Sequence, residues 1–272
     1  MKIALMDSGI GLLAAAAAVR RLRPDADLVL SSDPDGMPWG PRTAESLTDR
    51  ALMVARAAAE LDPDALIVAC NTATVHALDA LRAALEPGIP VIGTVPAIKP
   101  AAARGGKVAI WATPGTTGSP YQRGLIRSFA GGVDVTEVPC PGLADAVQWA
   151  DPDAVARTVA AAAALTPPDV TDVVLGCTHY ELVEDPIRAA LDERTGGAAL
   201  TYHGSADAVA AQALRRIGVG PAPAADPTGT LTVLLTTRPS ALPAEALTYA
   251  EGRLLDAATP ALPLPTEAPA VH

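Results

Sequence analysis

The chain has 272 residues, half of them hydrophobic, a formal net charge of −10 and only 3% aromatic side chains. That suffices for one large domain or two modest ones with aliphatic, helix-rich cores, and it lacks the basic stripe that a nucleic-acid surface needs. No apolar run reaches the ~18 residues of a membrane span, and three scattered cysteines fit neither a disulfide scaffold nor a zinc site, so a reducing, cytoplasmic setting is expected.

"KIALM" (2–6) reads as a buried strand, followed by a helix over about 12–22 that Pro24 punctuates. Lys2 and the run "LLAAAAAV" superficially resemble a signal peptide, but Asp7 and the two glycines interrupt the apolar stretch. "DLVLSS" (27–32) is a second strand, then come the loop "DPDGMPWGPRT", a helix over about 44–60, the strand "ALIVAC" (65–70), a helix over about 73–85 and the strand "PVIGTV" (90–95). The pattern then restarts: "KVAIWAT" (107–113), a helix over about 117–129, the strand "VDVTEVPC", an Ala-rich helix over 151–164 and the strand "DVVLGC" (172–177). Residues 223–257 add the strand "TLTVLL" and a helix, and the Pro-rich end from Thr259 is expected to be disordered. Continuous Val/Ile/Leu runs separated by helices predict parallel strands covered on both faces, in two α/β units.

An internal echo supports two related halves. "ALIVACNTATVHALDALRAAL" and "DVVLGCTHYELVEDPIRAAL" both run strand, cysteine, polar pair, helix. Cys70 and Cys177 thus fall at strand carboxyl ends where helices begin, the usual ligand position in open α/β sheets. Unpaired N–H groups there favour an anion and are expected to lower a thiol's pKa. The plainer reading of any one buried cysteine is a small hydrophobe, and Cys140, before Pro141-Gly142, keeps that reading. Two thiols with tuned pKa values suit inversion of a carbon stereocentre, one removing a proton while the other delivers one. A Cys–His hydrolase using Cys70 with His76, or Cys177 with His179, is the competing use, and it leaves the second thiol idle.

"MDSGIGLLA" (6–14) also fits the dinucleotide fingerprint G-x-G-x-x-A, with Asp33 at the spacing of a ribose-binding acid. Against a nucleotide-binding oxidoreductase, Asp7 would bring a carboxylate to where a pyrophosphate must sit. Asp7-Ser8 reads better as polar lining, with the glycines serving a tight strand-to-helix turn.

The motifs "DSGIG", "PWGPRT" (38–43), "ACNTAT" (69–74), "LGCTHY" (175–180) and "LLTTRP" resemble glutamate racemase, in the cofactor-independent aspartate/glutamate racemase superfamily, over roughly residues 2–255. The resemblance implies two pseudo-symmetric doubly wound α/β domains, 1–96 with 204–258 and 97–203, and an active site in the cleft between them. It implies Cys70 and Cys177 as the two bases, Asp7 near the substrate amine or a thiol, and His179 assisting Cys177. Ser8, Trp39, Gly40, Asn71, Thr72 and Thr178 would bind an acidic amino acid, with Asp33 near the first cysteine and Gln148 near the second as supporting residues. The family needs neither metal nor pyridoxal phosphate, and Lys2, Lys99 and Lys107 lie in no Schiff-base setting. Its usual role is supplying D-glutamate for peptidoglycan, and its members often dimerise. Three positions depart from the pattern: Leu12 for a glycine, Trp39 for tyrosine and Gln148 for glutamate. They keep open a racemase or epimerase for another acidic or amide-bearing amino acid, or a catalytically weak relative with a binding or regulatory role.

Overall fold

The computed structural model describes residues 1–197 and 199–257. The Pro-rich end, and residue 258 of the expected first domain, lie outside them. The first apolar runs form parallel strands β1 (Lys2–Asp7), β2 (Asp27–Ser32), β3 (Ala65–Val68) and β4 (Val91–Gly93). The second set is β5 (Val108–Ala112), β6 (Val135–Pro139), β7 (Asp172–Leu175) and β8 (Thr201–His203). Their spatial orders, β2-β1-β3-β4 and β6-β5-β7-β8, repeat position for position, so the sequence echo is a topological one. Cys70 and Cys177 follow the equivalent strands β3 and β7.

The first sheet is extended beyond β2 by parallel β9 (Leu231–Leu235) and antiparallel β10 (Arg238–Ser240). Only β9 is anticipated from the apolar run. The short, exposed β10 carries no pattern of its own and exists because a two-residue turn returns the chain along the sheet edge. That turn puts Thr236 and Thr237 at φ +44° and +69°. Positive φ at both central residues is what a tight hairpin requires, and for β-branched threonine it is strained.

Helices α1 (Leu12–Leu22), α2 (Ala44–Ala59) and α3 (Asn71–Leu85) follow β1, β2 and β3. α4 (Ile98–Ala102), α5 (Pro120–Phe129), α6 (Leu143–Gln148), α7 (Pro152–Leu165) and α8 (Glu184–Thr195) surround the second sheet. α9 (Ala206–Arg216) and α10 (Ala250–Ala257) then pack on α1. Each sheet is covered on both faces: α1 and α9 against α2 and α3 for the first, α6–α8 against α4 and α5 for the second. α1 is apolar nearly all round because it is buried nearly all round, under α9 and α10 and against the 3₁₀ segment Thr178–Val183 of the second unit. Ile3 and Leu5 of β1 are fully buried in that core, each stabilising the fold by about 1.5–3 kcal/mol relative to exposure. No helix among the described residues is long and apolar enough to cross a membrane.

β8, α4, α6 and α9 are not anticipated from the sequence, and α5 starts at Pro120 rather than near 117; two further departures touch the cysteines. α3 starts at Asn71, so Cys70 itself is the N-cap. After β7 the chain runs six residues of 3₁₀ helix before α8 begins at Glu184, so the helix expected directly after Cys177 is displaced.

Candidate active site

Carboxyl ends of strands from both sheets converge on one cavity of about 410 Å³. Asp7 and Ser8 follow β1, Cys70 to Thr72 follow β3, Thr113 to Thr116 follow β5, Cys140 to Gly142 follow β6, and Gly176 to His179 follow β7. In each sheet the pair of strands that flanks the point where strand order reverses, β1 with β3 and β5 with β7, is among the contributors, the general ligand position of open α/β sheets.

Cys70 is buried on the first wall, and its Sγ accepts the Ala73 N–H at 3.5 Å. Asp7 lies beside it, fully buried, with Oδ1 accepting the Ser8 N–H (2.6 Å) and Oδ2 accepting the Thr178 hydroxyl (3.4 Å). Burial pushes the Asp7 carboxyl up to about 7, although hydrogen bonds from Cys70, Ser8 and Thr178 favour its charge. Asn71 Nδ2 donates to Gly176 O (2.7 Å), tying the start of α3 to the loop before the second thiol.

On the second wall His179 Nδ1 stands 4.0 Å from Cys177 Sγ. Ile10 N–H donates to Gln148 Oε1 at 2.8 Å, which fixes that oxygen as an acceptor. His179 Nε2, 3.1 Å from the same oxygen, therefore carries the ring proton and Nδ1 presents its lone pair to Cys177. Burial pushes His179 down to about 4, so the ring is neutral at working pH.

The glycines of "DSGIG" belong to this junction. A Cβ on Gly9 would collide with Gln148, and one on Gly11 with Thr178, Asp7 and His179. Neither glycine has positive φ, and Gly11 is already helical at φ −57°. Close approach of the second unit, and not the tight turn expected from sequence, demands them. Leu12 is correspondingly unremarkable: it opens α1 and is buried in the core.

The expected lowering of thiol pKa is overturned. Burial pushes Cys70 well above the ordinary thiol value, with the Asp7 charge adding to it, and pushes Cys177 up to about 12. The Ala73 N–H beside Cys70 and the His179 N–H beside Cys177 act in the other direction and are outweighed. Desolvation wins because no lysine or arginine among the described residues lines the cavity.

Of the residues expected at a site, Asp7, Ser8, Trp39, Gly40, Cys70, Asn71, Thr72, Cys177, Thr178 and His179 line this cavity. Gln148 does not line it and acts through His179. Asp33 does not line it either: it is buried, with its carboxylate bonded to Arg50 and the Trp39 indole. Cys140, read as an ordinary core cysteine, also lines the cavity while packing in the second core. Burial pushes its thiol up to about 12. Thr113 and Thr116 line the cavity as well and were missed; Asp145, the carboxylate that could stand in for the glutamate replaced by Gln148, lines it too. The end of the "KVAIWAT" strand could have marked Thr113 by the rule that singled out the two cysteines.

Residues 11–219 match the family model described as Asp/Glu/Hydantoin racemase. The chain is 37% identical over 197 residues to a glutamate racemase of Sphingopyxis alaskensis, covering 69% of this chain and 73% of that one. It is 38% identical over 200 residues to a glutamate racemase of Roseiflexus, covering 71% and 72%. Among solved structures, Escherichia coli glutamate racemase in complex with L-glutamate and the activator UDP-MurNAc-Ala superposes with a TM-score of 0.74 at 26% identity, covering 90% of this chain and 91% of that one.

Proposed function

Because the chain belongs to the Asp/Glu/Hydantoin racemase family, we propose that it racemises an acidic amino acid, L-glutamate to D-glutamate, by a two-thiol mechanism without a cofactor, and so supplies D-glutamate for peptidoglycan. The observation that carries this reading is the pair of thiols, Cys70 and Cys177, at equivalent strand ends of two sheets around one cavity. A thiolate on one wall takes the Cα proton from one face of the substrate while the thiol on the other wall delivers a proton to the opposite face. Exchanging which thiol is charged reverses the direction.

The flanking groups suit this chemistry. The substrate ammonium brings the positive charge the cavity lacks, so its entry favours the thiolate that burial opposes. Asp7 meets that ammonium, together with Asn71 Oδ1, which is buried without a hydrogen-bond partner among the described residues. The α-carboxylate is met by N–H groups at the start of α3 and by the Thr72 hydroxyl. The neutral His179 ring turns its Nδ1 lone pair toward Cys177 and orients the S–H of that thiol when it acts as the acid.

A second reading is favoured by Trp39, which offers no hydroxyl and whose indole N–H is already engaged by Asp33 (2.9 Å). The same machinery would then act on another acidic or amide-bearing amino acid. Incubating the protein with L-glutamate in D2O is expected to give racemic, α-deuterated glutamate. Exchange with only another amino acid in a panel selects the second reading. Absence of exchange with glutamate, aspartate and their amides refutes both.

A further inference from the structure

Asp33 is fully buried, and its carboxylate is saturated. Oδ2 accepts the Trp39 Nε1–H at 2.9 Å and the Arg50 Nε–H at 2.7 Å. Oδ1 accepts an Arg50 Nη2–H and the Thr236 hydroxyl, the latter at 3.2 Å. Those four donors fill the roughly four acceptor positions of a carboxylate, leaving no lone pair for a travelling proton. The main chain of the same residue donates to Ser8 O at 3.2 Å and accepts the Gly36 N–H at 3.0 Å. Asp33 thus holds two residues of the cavity lining, Ser8 through its backbone and Trp39 through its side chain.

The strained hairpin turn completes the arrangement. Thr236 sits at φ +44°, and its hydroxyl accepts the Asp35 N–H (3.1 Å) while donating to Asp33. A β-branched residue persists in that backbone region only where its surroundings over-determine it. Asparagine or glycine would relieve the turn, but neither places a hydroxyl on Asp33. Arg238, just past the turn, pairs with Asp35 at 2.7 Å.

We propose that Asp33 is a positioning residue, braced by Thr236 and Arg50, that aims Trp39 and Ser8 at the substrate and takes no part in proton transfer to Cys70. The proposal rests on the racemase reading for what the cavity binds, while the brace itself can be measured without turnover.

The test uses Thr236→Val, which removes only the hydroxyl, and Asp33→Asn, which puts an N–H where a donor now points. The Trp39 indole resonance is assigned in 15N-labelled protein by its disappearance in Trp39→Phe, and its hydrogen exchange is followed. Both variants are expected to speed that exchange about tenfold or more, as expected for losing one hydrogen bond to a charged group. Wild-type exchange rates in both variants overturn the brace. In racemisation assays both variants are expected to raise KM about tenfold and lower kcat less than about threefold, with the pH profile of kcat superimposing on the wild type. A kcat collapse with a displaced pH profile in Asp33→Asn, but not in Thr236→Val, overturns the proposal and makes Asp33 a proton carrier. If Asp33→Asn does not fold, Thr236→Val decides by indole exchange and KM. If the wild type exchanges no amino-acid α-proton, the racemase reading fails and the indole exchange still decides the brace.

Discussion

Replacing Asp7 by asparagine is expected to change the pH dependence of stability in a way set by two buried groups that oppose each other. The Asp7 carboxyl titrates at about 7 in the folded chain against 3.8 ordinarily, and the His179 ring at about 4 against 6.5. Between about pH 4 and 6.5 the folded state holds a proton on Asp7 that the unfolded state has released, so stability falls as pH rises. Over the same window the unfolded state holds a proton on His179 that the folded state excludes, so stability rises with pH. Each slope is about 1.4 kcal/mol per pH unit, and in the wild type the two cancel. Asp7→Asn removes the falling slope and leaves stability rising by about 3 kcal/mol between pH 4 and 6.5. His179→Gln removes the rising slope and leaves stability falling by about 4 kcal/mol between pH 4 and 7. Urea denaturation followed by circular dichroism, at half-unit pH steps, measures each variant against the wild type. Groups common to all three proteins, such as buried Glu181, whose pKa burial also raises, drop out of the differences. A difference between Asp7→Asn and wild type that stays flat across pH 4–7 refutes the reasoning.

Cys70→Ala and Cys177→Ala are each expected to abolish racemisation, while each retains exchange from one face in D2O; racemisation by either variant rules out a two-thiol mechanism. Gly11→Ala introduces no backbone strain at φ −57° but drives a methyl among Thr178, Asp7 and His179. It is expected to cost about 1–3 kcal/mol by urea denaturation and to depress α-proton exchange, and native stability with native exchange would contradict the close-approach account. Thr166→Val strands the buried Trp111 indole N–H, which now donates to the Thr166 hydroxyl at 2.9 Å. Its expected cost is about 1–3 kcal/mol, and a loss below about 0.5 kcal/mol would show that the indole finds another acceptor.

The strands that carry the cysteines are legible because a buried parallel strand must be apolar on both faces, and "ALIVAC" and "DVVLGC" can be little else. The opening loop is legible in part: its carboxylate argues against a bound pyrophosphate, but the reason for its glycines lies in Gln148, Thr178 and His179. β10 is invisible in sequence because an exposed three-residue strand at a sheet edge buries nothing. The six residues of 3₁₀ helix after Cys177 escape for a related reason: their burial against α1 is a contact with the other unit, not a local periodicity.

What the sequence determines by itself is the alternation of the main apolar strands with helices, the doubling of one α/β pattern, and the presence of a thiol at the same strand end in each copy. These follow from local periodicity and from residue types that only certain backbone positions accept. The tertiary structure alone decides the charge and duty of each group. Gln148 orients His179 because Ile10, 138 residues away, claims the same oxygen, and Asp33 is saturated because Thr236, 203 residues away, reaches it. The thiols are pushed up because packing around them removes much of their water without bringing a cation. Desolvation and competition for a lone pair depend on every neighbour in space, and those neighbours are fixed only when the two halves pack.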